Sequence, residues 1–270
     1  MNKPIVLDKR YNFLRPVKTE RLIRLGRKLD GGYIVDSSII DNCETLITFG
    51  LGPDWSFELD FIKRNKNLSI FVYDYTVSSL PYIKQIWKYL RRFLTFRVPL
   101  EATKTRLENY LEYKRFLNLD NVKFFREKIT YPIKNKIDTD IEKVFSRIER
   151  NSEVILKSDI ESSEYHIIDQ ILEYSSRIQM LIIEFHWIDK NENIFIDSVK
   201  KLKNKFEIIH IHANNHYETL KNGLPMILEI TLLNKKFIPN KFEYVNNFPV
   251  QDLDFPNNPN VEDISFSFND

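Results

Sequence analysis

The sequence predicts an α/β fold built around one doubly wound, mostly parallel sheet. Seven β-rich runs, at 45–49, 69–73, 122–126, 154–158, 180–185, 206–212 and 227–233, alternate with helix-length segments in the first part of the chain. Such alternation implies helices covering both faces of a sheet. The early runs are near-continuously apolar, as parallel strands buried on both faces read. Only residues 213–226 separate the last two runs, and Asn214, Asn215, Asn222, Gly223 and Pro225 make that stretch a loop. The reading is therefore a seven-stranded sheet closed by an antiparallel hairpin.

The elements between follow in order. A helix starts near Trp55 and runs to Lys63, behind the first strand. After the second comes an inserted, lid-like helical segment at about 80–118. Within it, Ile83, Ile86, Trp87, Leu90 and Phe93 oppose Lys84, Lys88, Arg91 and Arg92 across residues 82–97. A basic helix of this kind either docks on its own domain, covers a phosphate-bearing ligand or lies on an anionic membrane. Tyr165, Ile168, Ile171 and Leu172 recur at helical spacing and predict a helix over 163–172. From about residue 240 the chain is rich in Asn, Pro and Asp, which predicts an extended, partly mobile tail. The whole reads as one domain spanning residues 1–270.

Composition narrows the function classes. The 40 basic and 38 acidic residues nearly cancel, so a nucleic-acid partner is not expected. No stretch approaches the roughly 20 apolar residues that cross a bilayer, and the amino end carries no secretory signal pattern. The lone Cys43 cannot form an internal disulfide. A cytoplasmic protein is expected. Only six glycines occur, and four of them fall at Gly31-Gly32 and Gly50-x-Gly52.

The second pair marks a cofactor corner. Thr45-Leu-Ile-Thr-Phe-Gly50-Leu-Gly52 is a strand running into a turn of bare backbone, and Asp74 ends the next strand, where nucleotide-binding folds place an acid for ribose hydroxyls. Pro53, Asp54 and Trp55 interrupt what a pyrophosphate-binding G-x-G-x-x-G requires, which disfavours a dinucleotide dehydrogenase. Adenosine without pyrophosphate points to S-adenosylmethionine.

Acids and histidines gather at later strand ends. Asp159, Glu161 and Glu164 follow the fourth strand, Glu184 and His186 share a face at the end of the fifth, and His210, His212 and His216 lie on or after the sixth. Asp159, Glu161, His186 and His212 are the candidate catalytic residues, with a neutral His186 as general base. Asp159, His186 and His212 would also compose a two-histidine, one-carboxylate site for a divalent metal, although His212 stands about 10 Å away if the hairpin's second strand lies beside the fifth.

These motifs resemble the FkbM-like methyltransferases over roughly residues 22–235. The resemblance is carried by Leu156-Lys-Ser-Asp159-Ile-Glu161-Ser-Ser-Glu164, Asp30-Gly-Gly-Tyr33, Phe49-Gly-Leu-Gly52 with Ser56-Phe-Glu58, Glu184-Phe-His186, His212-Ala-Asn-Asn215 and Leu228-Glu-Ile-Thr231. Ser162 departs from the pattern, which usually has Gly there. The resemblance implies a class I methyltransferase fold and methyl transfer from S-adenosylmethionine to a hydroxyl, commonly on a sugar or polyketide. Gly50, Gly52, Glu58 and Asp74 would then hold the cofactor, and Asp159, Glu161 and His186 would face the acceptor. A nucleotide-activated sugar or glycan of a capsule or surface-polysaccharide pathway is the expected acceptor. The rival expectation is a non-catalytic module that brings such a pathway to a membrane surface through the basic helix.

Overall fold

The structure is a computed structural model that describes residues 4–268. Its central sheet has seven strands: β1 (Thr45–Phe49), β2 (Ser69–Tyr73), β3 (Val122–Phe125), β4 (Val154–Ser158), β5 (Ile178–Phe185), β6 (Phe206–Ala213) and β7 (Leu228–Asn234). Their spatial order is β3-β2-β1-β4-β5-β7-β6. The pairs from β3 to β5 are parallel, and β7 runs antiparallel to both β5 and β6. This is the Rossmann-like methyltransferase arrangement, with the expected hairpin inserting its second strand beside β5.

Strand sequence explains the two-sided burial. Ile47, Phe49, Tyr73, Leu156, Ile183 and Phe185 join one hydrophobic cluster, while Leu46, Ile70, Val72, Ile155 and Ile182 join another. Successive side chains point to opposite faces, so an unbroken apolar strand fills both. Helix α1 (Ser56–Arg64) covers one face with Phe57 and Phe61. Helices α4 (Ile141–Ser146), α5 (Ile168–Glu173) and α6 (Ile188–Leu202) cover the other with Val144, Phe145, Ile171, Phe195 and Val199.

Between β2 and β3 stand α2 (Ser79–Leu94) and α3 (Leu100–Leu117). Helix α3 reaches the core through Tyr113 and Phe116, whereas α2 has no buried residue. The apolar face expected of α2 divides: Ile86, Leu90 and Phe93 are half-buried, while Leu80, Ile83, Trp87 and Leu94 are exposed. The expected helix over 163–172 is broken into a 3-10 turn, Ser163–His166, and α5. Among the described residues no helix is long and apolar enough to cross a membrane.

Two smaller pieces shape the carboxyl edge of the sheet. Strands Leu22–Leu25 and Tyr33–Asp36 form an antiparallel hairpin, pinned to α1 by Gly26 N donating to Asp60 (2.9 Å) and to β7 by Thr231 Oγ1 donating to Ile34 O (2.6 Å). The tail beyond residue 240 is irregular yet packed. Its Phe266–Phe268 strand pairs with Ile5–Leu7 and Asn247–Phe248, and its Asp254, Asn257 and Asp263 bond to His210, Glu229 and His212 on β6 and β7.

Candidate functional site

The strand order reverses direction at β1 and β4, and open α/β sheets bind ligands outside the strand ends at that point. A cavity of about 380 Å³ lies there, within the usual size range for small-molecule sites. Gly50, Gly52, Asp74, Asp159 and Glu161, drawn from three loops, all line it.

The two turn glycines serve different needs. Gly50 has φ +76°, and a Cβ there would sit 1.7 Å from the Asp159 carbonyl oxygen. Only glycine lets the β1 and β4 loops touch. Gly52 has φ +63°, but a Cβ there would meet nothing within 4 Å, so its bare backbone faces open cavity. Asp74 holds this turn in shape. Its Oδ2 accepts from Leu51 N (2.9 Å) and Gly52 N (3.0 Å), and its Oδ1 accepts from Thr76 N (2.7 Å), Thr76 Oγ1 (2.6 Å) and Val77 N (3.2 Å). Burial would raise its pKa, but the bonds from Thr76, Gly52 and Leu51 prevail and hold it below the usual carboxylate range. Five donors use the capacity of a carboxylate, so Asp74 in this structure is a clasp on the loop.

Glu58 lies elsewhere. It is fully buried beneath the sheet, accepts from Thr48 Oγ1 (2.9 Å), stands 3.9 Å from Lys157 Nζ, and does not line the cavity. Lys157 in turn donates to Gly50 O (3.1 Å) and lies 5.1 Å from the Tyr33 ring centroid, so a buried cation braces the glycine turn from below.

The acid and histidine constellation assembles on the ends of β4 and β5. Asp159 Oδ2 accepts from Tyr33 Oη (3.1 Å), and Asp159 Oδ1 lies 3.6 Å from His186 Nε2. Glu164 accepts from the His186 backbone N–H (2.7 Å) and lies 3.4 Å from His186 Nδ1, while Glu161 Oε2 is 3.9 Å from Nε2. Glu184 is buried, accepts from Asn214 Nδ2 (2.9 Å), and has a pKa well above the ordinary range because of burial and the nearby charges of Asp159 and Glu229. For His186 burial works downward, but Glu164, Glu184 and Asp159 outweigh it and raise the imidazole to about 10.

The loop geometry that places these groups is strained. Glu161 (φ +52°) and Ser162 (φ +82°) both occupy the left-handed region, so Ser162 makes the turn usually left to glycine. His212 is not brought to Asp159 and His186. It sits across β7, with Nε2 3.1 Å from Asp263 and Nδ1 3.5 Å from Glu229. The group that does converge is Asp159, Glu184 and His186, with one ligand-capable atom from each within 4.8 Å of the others.

Four participants were given no site role from sequence. Tyr33 and Asp30 reach the cavity from the hairpin turn, Glu127 follows β3 and is held by Arg147 (2.8 and 2.9 Å), and Lys157 rises from β4. A signal existed for Lys157, Glu184 and Glu229: each is a charge inside an apolar strand run, and such burial demands a partner. Tyr33 was marked only by its place in the Asp30-Gly-Gly-Tyr33 motif, and Glu127 carries no comparable mark. None of Lys84, Lys88, Arg91 and Arg92 lines the cavity.

No protein-family profile matches the chain, and no curated protein sequence does. The solved structures it resembles include several methyltransferases. A precorrin-6y C5,15-methyltransferase from Geobacter metallireducens is 10% identical, with 72% of this chain and 82% of that chain covered and a TM-score of 0.36. A candidate tRNA (m1A22) methyltransferase from Streptococcus pneumoniae, in complex with S-adenosyl-L-methionine, is 9% identical, with 73% and 69% covered and a TM-score of 0.36. The fibrillarin/Nop5p complex is 13% identical, with 72% and 73% covered and a TM-score of 0.40. At such low similarity the fold assignment stands on strand order and direction.

Proposed function

We propose that the chain is an S-adenosylmethionine-dependent O-methyltransferase related to the FkbM-like enzymes, acting on a hydroxyl of a sugar or other polyhydroxylated small molecule. One observation carries the reading: the Gly50–Gly52 turn, open at Gly52, and the Asp159–Glu161 loop line the same cavity at the point where the sheet reverses order. The residues fit the cofactor. Gly52 leaves space against bare backbone, Tyr75 and Ile129 supply apolar wall, and Asp74 fixes the turn's amides. When bound, S-adenosylmethionine supplies an electrophilic methyl group on a sulfonium.

The chain's own part is alignment and proton management. Asp159, fixed by Tyr33, orients the acceptor hydroxyl, and alignment supplies a large share of such a rate. Glu161, whose side chain is 76% exposed while lining the cavity, takes the hydroxyl proton and passes it to solvent. Asp30, Glu127 and Asp159 together make a lining rich in acceptors, which suits an acceptor with several hydroxyls. A nucleotide-activated sugar of a surface-polysaccharide pathway is the acceptor of choice within this class.

Calorimetry with S-adenosylmethionine and its demethylated product tests the cofactor, and mass spectrometry after incubation with nucleotide sugars tests the acceptor. Binding of both cofactor forms and a product heavier by one methylene are expected. An absence of cofactor binding would overturn the reading as a whole, and methylation of RNA in place of sugars would overturn the acceptor class.

A further inference from the structure

We infer that Asp159, Glu184 and His186 form a binding site for one divalent cation of the Mg²⁺ or Mn²⁺ class. The three ligand-capable atoms lie within 4.8 Å of one another. Neighbouring ligands about 2.1 Å from a shared ion stand roughly 3 Å apart and an opposed pair about 4.2 Å, so donors this close together need inward shifts of at most about 1 Å each to share an ion. The residues come from the carboxyl ends of strands paired in register, Ile183 opposite Ser158, which fixes their separation.

The imidazole is the second, independent sign. His186 is 3% exposed, and neither ring nitrogen reaches hydrogen-bond geometry: Nδ1 lies 3.4 Å from Glu164, and Nε2 stops 3.6 Å from Asp159 and 3.9 Å from Glu161. Buried polar atoms in native proteins are almost always satisfied, and an unbonded imidazole nitrogen aimed at carboxylates is a metal ligand's posture. Charge points the same way. Among the described residues no lysine or arginine pairs with Asp159, Glu161, Glu164 or Glu184, so His186 faces four carboxylates without another cation.

Outer partners already orient the donors. Tyr33 bonds to Asp159, Asn214 to Glu184, and Glu164 holds the His186 backbone. Such support fixes ligand orientation in metal sites. One nitrogen and two carboxylates form an oxygen-rich set, which suits Mg²⁺ or Mn²⁺ better than copper or nickel. The site differs from the one expected from sequence, because Glu184 takes the place assigned to His212, which is occupied by Asp263 and Glu229.

Asp159 also lines the cavity, so one ligand of the ion stands beside the acceptor; this consequence rests on the methyltransferase reading, whereas cation binding does not. There the ion would hold the acceptor oxygen and ease loss of its proton. The test is Mn²⁺ titration of the whole protein without methyl donor, followed by electron paramagnetic resonance and calorimetry. One Mn²⁺ per chain is expected, displaced by Mg²⁺, with binding weakened at least tenfold by Glu184→Gln and by Asp159→Asn and unchanged by His212→Gln. Thermal melts of each variant separate lost binding from lost folding. Absence of Mn²⁺ binding, binding unaffected in both carboxylate variants, or loss confined to His212→Gln would overturn the site. Demethylated cofactor, titrated separately, reports on the methyltransferase reading independently.

Discussion

Gly50 and Gly52 are two residues apart and look alike in sequence, yet their substitutions should fail differently. Gly50→Ala drives a methyl into the Asp159 carbonyl at 1.7 Å and should destabilise the fold by about 3 kcal/mol or more, read as a lower denaturation midpoint. Gly52→Ala meets no protein atom, so it should cost only about 1–2 kcal/mol for its left-handed backbone while placing a methyl in the cavity. It should fold and bind S-adenosylmethionine at least tenfold more weakly by calorimetry. Ser162, at φ +82°, gives the opposite sign: Ser162→Gly should raise stability by about 0.5–1 kcal/mol in chemical denaturation. Asp74→Ala should weaken cofactor binding by releasing the Leu51 and Gly52 amides rather than by deleting a ribose contact. The sequence marks Asp74 as important, but five local donors decide what its oxygens do.

At the scale of elements, the α2–α3 hairpin is the part whose character is least settled by its own pattern. The basic, amphipathic run was legible, and so was a helix; which apolar residues face the protein was not, because two stripes share the helix. Ile86, Leu90 and Phe93 turn inward, and Trp87 and Phe96 remain 59% and 98% exposed. Trp87→Ser and Phe96→Ser should therefore each change unfolding free energy by less than about 0.5 kcal/mol in chemical denaturation. The helix after β4 shows a local limit of periodicity. Its apolar spacing continues through residues 163–172, but the positive φ at Glu161 and Ser162 turns the chain sharply, and a 3-10 turn precedes α5.

Across the whole molecule, the tail locks the far edge of the sheet through charge. Burial lowers the His212 pKa, but the contacts with Asp263 and Glu229 and the field of Asp254 exceed that effect and raise it from 6.5 to about 10. A folded-state pKa above the unfolded value means that stability from this group is complete below about pH 6.5 and fades as pH rises towards 10. Arg24 also senses Asp254, Asp263 and Glu229, so the hairpin, β7 and the tail share this field. Thermal melts should fall progressively between pH 7 and 10, and Asp263→Asn should flatten that dependence while lowering the melting temperature at pH 7. A pH-independent melting temperature over that range would count against the lock.

Seven strands, their two-faced burial, the closing hairpin and the glycine turn were written in local pattern, because apolar periodicity and backbone freedom are properties of neighbouring residues. Which histidine meets which acid was not, because strand order and the tail's return decide it over separations of 17 to 51 residues. Sequence nominated His212 beside His186; the structure puts β7 between β5 and β6, hands His212 to Asp263, and leaves Glu184 facing Asp159. Tyr33 and the tail's acids reach their partners only through tertiary packing. Local physics fixed the elements, and long-range pairing chose which side chains share a site.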